Sequence, residues 1–244
     1  MDKIEKDDFI NHLQEDAVAD SSKNWGLWEL EKFAFDKYFH QADSILDIGC
    51  STGRTTFALY KNGFHHITGL DPSPSKIQEA RKFSQDENME IPFFLGNATE
   101  IPFNDSSFDH ALFSFHGLMK IPQRKNRILA LKEIKRILRP GGRFLFTTPI
   151  RDSNERYLNF WEQEEMIWCD SKQDERLYEF GDIFTKGKSH QEEAYLHIPS
   201  QQEVLDCLEE AQLTVLETFH QDSFNESVMA MNFSPDSHFW IVHQ

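Results

Sequence analysis

A carboxylate, two glycines and several small polar residues occur together within nine positions of this chain. They are Asp47, Gly49, Cys50, Ser51, Thr52, Gly53 and Thr55. A turn built from small residues lets a ligand approach the main chain closely, and a helix that follows it points N–H groups without intrahelical partners at that ligand. These seven residues are therefore predicted to bind a nucleotide-like ligand.

The elements on either side of this turn fit that prediction. Residues 45 to 48, Ile-Leu-Asp-Ile, form an apolar run typical of a buried parallel strand, and residues 55 to 60 fit a helix. A dinucleotide-binding sequence, G-x-G-x-x-G, starting at Gly49 would need glycine at Ser51 and Arg54. Because both glycines are missing, the turn disfavours a nicotinamide dinucleotide.

A second carboxylate follows the next predicted strand. Residues 67 to 71 read as a strand that ends in Asp71, about twenty residues after the turn, where a carboxylate can accept hydrogen bonds from ribose hydroxyls. Taken alone, Asp71 before Pro72 is equally well a turn residue that caps a helix from 74 to 83. The spacing of the two carboxylates favours the ligand, and Pro72 and Ser73 join the binding candidates.

Two further segments continue the alternation of strands and helices. Residues 93 to 103 contain Asn97, Ala98 and Thr99, and an apolar stretch that ends near Phe115 follows them. Apolar residues then recur at helical spacing from 128 to 138. The Pro-Gly-Gly at positions 140 to 142 ends that helix and begins the next strand.

The glycine turn resembles motif I of the class I S-adenosylmethionine-dependent methyltransferases. Asp47, Gly49 and Gly53 match the motif acidic-x-G-x-G-x-G, and Ser51 is the one departure. Residues 93 to 115 are similar to the family's G-D-A-x-x-L-P-F and S-F-D segments. The helix, Pro-Gly-Gly and strand that follow match the family as well. The resemblance implies S-adenosylmethionine as the cofactor.

The same resemblance implies roles for individual residues. The family's acidic residue at the position of Asp71 binds the ribose, and its acidic residue at the position of Asn97 accepts a hydrogen bond from the adenine amino group. The Asn97 amide oxygen can still accept such a bond. The backbone N–H of Ala98 is expected to donate to the adenine ring. Thr99, Phe113 and Ser114 complete the predicted cofactor-binding residues.

The implied fold is α/β: a Rossmann-like, doubly wound, seven-stranded mixed sheet of order 3-2-1-4-5-7-6 with an antiparallel last strand. We expect one domain in which a helix from 200 to 211 precedes closing strands near 213 to 219 and 238 to 242. Its parts are an N-terminal helical flap (1–43), a cofactor half (44–149), a substrate-covering insertion after strand 5 (151–197) and a closing helix and strand pair (198–244).

The composition limits the classes of partner. The 244 residues carry a net charge of −16, which opposes binding of long nucleic acids. Nine basic residues between Lys120 and Arg143 have two interpretations. They form a small RNA-binding patch or, more simply, the solvated face of an amphipathic helix. No apolar run is long enough to span a membrane, and three scattered cysteines without C-x-x-C fit a soluble, cytoplasmic protein. No histidines are spaced H-x-x-x-H, and no metal site is predicted.

The insertion is where we expect the methyl acceptor to bind. It is too long for an ordinary loop, and its aromatic residues either wall a pocket or form a small additional core. Trp25 and Trp28 in the flap have the same two interpretations. Methyl transfer does not require a general base, but His116, just past the fourth strand, is the predicted one. The further candidates lie in the insertion and are His190, Glu193 and His197.

These observations predict a methyltransferase that acts on a small molecule. Two alternatives stay open at this point. One is an RNA methyltransferase, with tRNA as the first choice, that uses the basic stretch. The other is a module that binds S-adenosylmethionine without catalysis.

Overall fold

The protein forms a seven-stranded sheet with helices on both faces. The structure is a computed structural model that describes residues 26–153, 155–186, 193–220 and 237–244. The sheet contains β1 (Ile45–Ile48), β2 (Ile67–Asp71), β3 (Phe93–Leu95), β4 (Phe108–Phe113), β5 (Leu138–Pro149), β8 (Thr214–His220) and β9 (Ser237–His243). Two further strands, β6 (Asp182–Lys186) and β7 (Glu193–His197), form a separate antiparallel pair.

Six α-helices connect or cover these strands in the described part of the chain. They are α1 (Glu29–Tyr38), α2 (Arg54–Lys61), α3 (Pro74–Asp86), α4 (Arg124–Ile137), α5 (Leu158–Cys169) and α6 (Gln201–Glu210). Short 3₁₀ turns lie at Gly117–Lys120 and Glu155–Tyr157. The start of α6 is a capping box, in which the Ser200 hydroxyl accepts from the N–H of Glu203 and the Glu203 carboxylate accepts from the N–H of Ser200.

The strand order is β3-β2-β1-β4-β5-β9-β8. The first five strands are parallel, and β9 runs antiparallel to both β5 and β8. This arrangement confirms the predicted fold, because the order 3-2-1-4-5-7-6 becomes the observed order once the two extra strands of the insertion are counted. The carboxyl ends of β1, β2 and β4 consequently meet along one edge of the sheet.

The hydrophobic core lies on both faces of the sheet. Successive strand residues alternate between the two faces, so that Phe144 and Phe146 pack with α4 and α6 while Leu145 packs with α1, α2 and α3. The central strands are mostly apolar on both sides, as expected for parallel strands covered by two helical layers. No helix among the described residues combines the length and the apolar character needed to cross a bilayer.

The insertion contains a helix and a hairpin. Tyr157, Phe160 and Trp161 are buried and belong to the same core cluster as the sheet and α4. Ile183 of β6 and Leu196 of β7 join this cluster. These aromatic residues therefore extend the core of the domain. The β6–β7 hairpin was not predicted from the sequence.

Helix α1 packs on the face of the sheet that carries α2 and α3. Leu30, Ala34 and Phe35 are fully buried, and Phe33 contacts Phe219 of β8 edge to face. Near the C-terminal end of α1, Lys37 donates a 2.6 Å hydrogen bond to Glu217. The helix predicted for the N-terminal flap thus covers the sheet. Trp25 lies outside the described residues.

Candidate cofactor and acceptor site

The glycine turn (residues 49–53) requires unusual backbone conformations. Gly49 and Gly53 have φ values of +65° and +96°, and Ser51 between them also has a positive φ of +54°. A Cβ on Gly49 would lie 2.6 Å from Cε2 of Phe113, so the turn packs directly against the end of β4. Glycine is needed here for conformation and for space.

Two carboxylates flank this turn, one at the end of each neighbouring strand. The Asp71 Oδ2 accepts from the backbone N–H of Ser51 at 2.8 Å, and its Oδ1 accepts from that of Ser73 at 2.9 Å. The Cys50 N–H donates to the carbonyl of Leu70 at 3.1 Å. These hydrogen bonds connect the ends of β1 and β2 at the place where the sequence predicts the ribose-binding site. Pro72, beside Asp71, is exposed.

Asp47 is buried in β1 and contacts α2. Its Oδ2 accepts a 2.5 Å hydrogen bond from the Thr56 hydroxyl. Burial raises the pKa of this carboxyl to about 7, against the opposing effects of Thr56 and Arg54. Burial likewise raises the pKa of the Cys50 thiol, which makes it an inert group. Thr52 is buried in the glycine turn, and Thr55 is buried at the start of α2.

Asn97 forms a tight local turn after β3. Its Oδ1 accepts from the N–H of Thr99 at 3.1 Å, and its backbone carbonyl accepts from the N–H of Glu100 at 3.1 Å. Asn97 is exposed, whereas Ala98 is buried. An amide oxygen has two lone pairs, and the exposed Asn97 can accept a second hydrogen bond. The predicted adenine contact remains a prediction.

Phe113 and Ser114 close the site on the β4 side. The Phe113 ring fits between Gly49 and Gly117, where a Cβ on either glycine would collide with it. Ser114 is buried, and its Oγ has no hydrogen-bond partner within the described residues. A buried hydroxyl without a partner is costly unless a ligand satisfies it. The Ser114 hydroxyl and the compact glycine turn therefore fit a polar ligand bound at this edge of the sheet.

The His116 side chain is buried, whereas a general base has to be accessible to the acceptor or to solvent. It has a φ of +55°, and its N–H donates to the Thr147 hydroxyl at 2.9 Å. Its Nε2 lies 3.2 Å from the Ser237 Oγ. Burial, together with Lys120, lowers the pKa of His116 to about 3. The ring is therefore neutral near pH 7, and a group of this pKa is a poor proton acceptor. Its predicted role as a general base stays a prediction, against which these properties argue.

The insertion candidates do not gather at one point. His197 is buried with its Nδ1 2.8 Å from Asp182 Oδ1, whereas Glu193 is exposed and binds Arg176. His190 lies outside the described residues. The Asp182 carboxylate also accepts from Tyr195 and from the backbone N–H groups of residues 178 and 179. Burial raises the pKa of Asp182, but these hydrogen bonds outweigh it and lower the pKa overall.

Glu179, Asp182 and His197 place one ligand atom each within 4.8 Å of one another, a spacing that could hold a metal ion. The contacts around them favour a structural role. Asp182 already accepts four hydrogen bonds, and Glu179 is ion-paired with the buried Arg127 at 2.8 Å. This cluster ties the insertion to α4.

An ion pair that the sequence analysis missed links the flap to the glycine turn. Arg54, considered there only as a missing glycine, binds both carboxylate oxygens of Glu31 at 2.9 and 2.6 Å. Glu31 is buried in α1. The available signal was an acidic residue amid the apolar positions of the predicted flap helix, which by itself names no partner.

Comparison with known proteins assigns the chain to a family. A family model described as a methyltransferase domain matches residues 45–142. The chain is 30% identical to the demethylmenaquinone methyltransferases of two Staphylococcus aureus strains. The alignments cover 68 and 72% of this chain and 66 and 70% of those proteins, or about two thirds of their length.

A solved S-adenosylmethionine-dependent methyltransferase from Methanosarcina mazei shares the fold. Its TM-score is 0.68 at 20% identity, over 90% of this chain and 98% of the other. The fold and the glycine turn together define a class I methyltransferase architecture. The chain belongs to the S-adenosylmethionine-dependent methyltransferase family, and S-adenosylmethionine is its cofactor.

Proposed function

We propose that this enzyme transfers a methyl group to a small-molecule acceptor by in-line displacement. The observation that carries the proposal is the position of the insertion. The β6–β7 hairpin packs on the Gly117–Lys120 turn, directly after the end of β4. An insertion in this position would cover the edge of the sheet next to the predicted cofactor site, and a covered site favours a small acceptor over a macromolecular surface.

The predicted cofactor residues have complementary tasks. The glycine turn and the first turn of α2 would hold the cofactor's amino acid portion, Asp71 its ribose, and Asn97 and Ala98 its adenine. When bound, S-adenosylmethionine supplies a methyl group on a sulfonium, which becomes a thioether after the acceptor's electron pair attacks. The buried Ser114 hydroxyl can donate a hydrogen bond to either ligand.

Positioning would provide most of the rate acceleration. The electrophile is already activated, and alignment of two bound reactants is worth roughly 7 to 11 kcal/mol at best. The residues around the site would align the acceptor and exclude water. The neutral His116 ring would keep its hydrogen bond with Ser237. An acceptor with a nucleophilic carbon or with an acidic hydroxyl suits such a site, because neither demands a strong protein base.

The charges of the described residues weigh against the RNA alternative. Four of the nine basic residues from Lys120 to Arg143 are paired with carboxylates, and one of these four, Arg127, is buried. Arg143 donates to the carbonyl of Tyr38. A basic patch with four of its nine charges already neutralised releases fewer counterions from a nucleic acid. The small-molecule relatives point the same way, since they are named for demethylmenaquinone.

Transfer of a labelled methyl group tests the proposal. The purified chain is incubated with methyl-labelled S-adenosylmethionine and either a panel of demethylated quinones and naphthols or total tRNA. We expect label in the organic extract of the panel and none in tRNA. Label in tRNA that ribonuclease removes would overturn the proposal in favour of RNA. Tight binding of S-adenosylmethionine without transfer to any acceptor would favour a non-catalytic module.

A further inference from the structure

Arg54 joins three segments that are distant in the sequence. Its guanidinium carbon lies 5.1 Å from the centre of the Trp28 ring and 4.9 Å from that of Phe115, and the two rings are 4.7 Å apart. Arg54 follows the glycine turn, Phe115 follows β4, and Trp28 precedes α1. We call residues 26 to 38 the N-terminal cap. One side chain therefore holds the cap, the glycine turn and the β4 loop together.

The carboxylate of Glu31 completes this contact. It accepts two hydrogen bonds from Arg54, and its Oε2 also accepts from the backbone N–H of Trp28 at 3.0 Å. Arg54 further donates to the carbonyl of Gly26 at 2.8 Å. The same carboxylate thus stabilises the first turn of α1 and docks the cap on the glycine turn. A guanidinium keeps its charge and Glu31 is buried, so removal of either partner leaves the other charge largely buried and unpaired. The two residues therefore depend on each other.

The loop after β4 depends on the same arginine. Phe115 and His116 are two successive residues with φ values of +57° and +55°. Left-handed conformations of such side chains persist only where surrounding contacts hold them. Arg54 contacts the Phe115 ring, and Thr147 binds the His116 backbone. Each of the two residues is therefore held by a contact from a different segment of the chain.

We propose that Arg54 is a positioning residue that couples binding at the glycine turn to closure of the N-terminal cap. The proposal rests on the glycine turn being the cofactor site. A ligand that orders the turn fixes the start of α2 and hence the guanidinium that the cap binds. Coupling of this kind is reciprocal, so that loss of the Glu31 contact weakens both cap closure and ligand affinity.

Hydrogen exchange on the full chain, with S-adenosylhomocysteine as the probe, tests this coupling. Isothermal titration with the same probe gives the affinity. Glu31→Gln removes the charge and keeps the shape of the side chain. Glu217→Gln is the matched control, because Glu217 binds Lys37 near the other end of the same helix. Arg54→Lys keeps the charge without the forked geometry and carries the test if Glu31→Gln does not fold.

We expect the probe to slow exchange of the cap amides in the natural protein and in Glu217→Gln. In Glu31→Gln this protection should disappear and the dissociation constant should rise about tenfold, a change typical of coupled sites. For Arg54→Lys, both the protection and the dissociation constant should lie between those of the natural protein and those of Glu31→Gln. Protection in Glu31→Gln equal to that of the natural protein would overturn the coupling alone, as would equal losses in Glu31→Gln and Glu217→Gln. Failure of the natural protein to bind the probe would overturn the cofactor site itself.

Discussion

The Asp71 carboxylate holds the backbone of Ser51 through a hydrogen bond of 2.8 Å. Ser51 is the residue with a positive φ between the two glycines, in the position where the family motif has a third glycine. The carboxylate therefore does two things: it stabilises a conformation that serine adopts at some cost, and it is the proposed ribose ligand. The departure from the motif at Ser51 is compensated by a residue from the next strand.

Asp71→Asn should weaken both functions of this carboxylate. Both of its oxygens accept backbone N–H groups, and an amide would turn one acceptor into a donor that faces another donor. We expect a loss of about 1 to 3 kcal/mol in unfolding free energy, measured by urea denaturation. Binding of S-adenosylhomocysteine should weaken by more than tenfold in titration calorimetry. Unchanged affinity would remove Asp71 from the site.

Gly49→Ala should disrupt the glycine turn, and Gly141→Ala provides the control. Both glycines have positive φ values, +65° and +79°, and each substitution costs roughly 1 to 2 kcal/mol in conformation. At Gly49 the new methyl group would also meet the Phe113 ring, whereas nothing lies within 4 Å at Gly141. Thermal unfolding and calorimetry should show a larger loss of stability for Gly49→Ala, and a loss of cofactor binding for that variant alone. Equal effects on binding would contradict the packing argument.

His116 should make stability depend on pH between 5 and 7. Burial lowers its pKa to about 3 in the folded protein, while the unfolded chain keeps the ordinary value of 6.5. The unfolded state therefore binds a proton that the folded state refuses, and stability is lost as the pH falls below 6.5. Between pH 7 and 5 the natural protein should lose about 2 kcal/mol more than His116→Gln.

Urea denaturation at a series of pH values measures this difference, with His66→Gln as the control because His66 is exposed. The control should retain the pH dependence of the natural protein. Parallel curves for the natural protein and His116→Gln would show that the His116 ring accepts a proton as readily in the folded protein as in the unfolded chain. In that case its role as a base would regain support.

Asp182→Asn should loosen the insertion without affecting the cofactor. The carboxylate accepts from two backbone N–H groups, the Tyr195 hydroxyl and the His197 ring, and an amide cannot satisfy all four. We expect about 1 to 3 kcal/mol of destabilisation and faster hydrogen exchange in β6 and β7. Titration with S-adenosylhomocysteine should match the natural protein. A loss of affinity comparable to that of Asp71→Asn would show that the two regions act as one.

Sequence patterns predicted the sheet because most of its strands are short, strongly apolar runs that can be recognised from neighbouring residues alone. Residues 45 to 48 and 67 to 71 lie between turn residues, so that their ends are marked in the chain. The β6–β7 hairpin was not predicted because both of its short strands carry charged residues at their ends and lack a continuous apolar run. The only strand-like signal in β6 is the run Ile183, Phe184 and Thr185, and a pattern so short does not separate a strand from a loop.

The site likewise has a part that the sequence predicts and a part that depends on how distant segments pack. The residues of the glycine turn and Asp71 follow strands at fixed spacing, and the structure brings them to one edge of the sheet. The contact between Arg54 and Glu31 depends on how α1 docks, which no local pattern encodes. The environment of His116 could not be predicted either, since it includes Thr147 and Ser237, which are distant from it in the sequence.

The two ends of the insertion are joined where it leaves the sheet. The N–H of Arg151 donates to the carbonyl of Pro199, and its guanidinium binds the carbonyl of Ile198 and the carboxylate of Glu203. Because its two ends meet at one stem, the segment can be exchanged while β5 and α6 keep their places, provided that the replacement also fills the core positions of Tyr157, Phe160 and Trp161. Exchange of this one cassette between relatives would therefore test whether the insertion determines the acceptor.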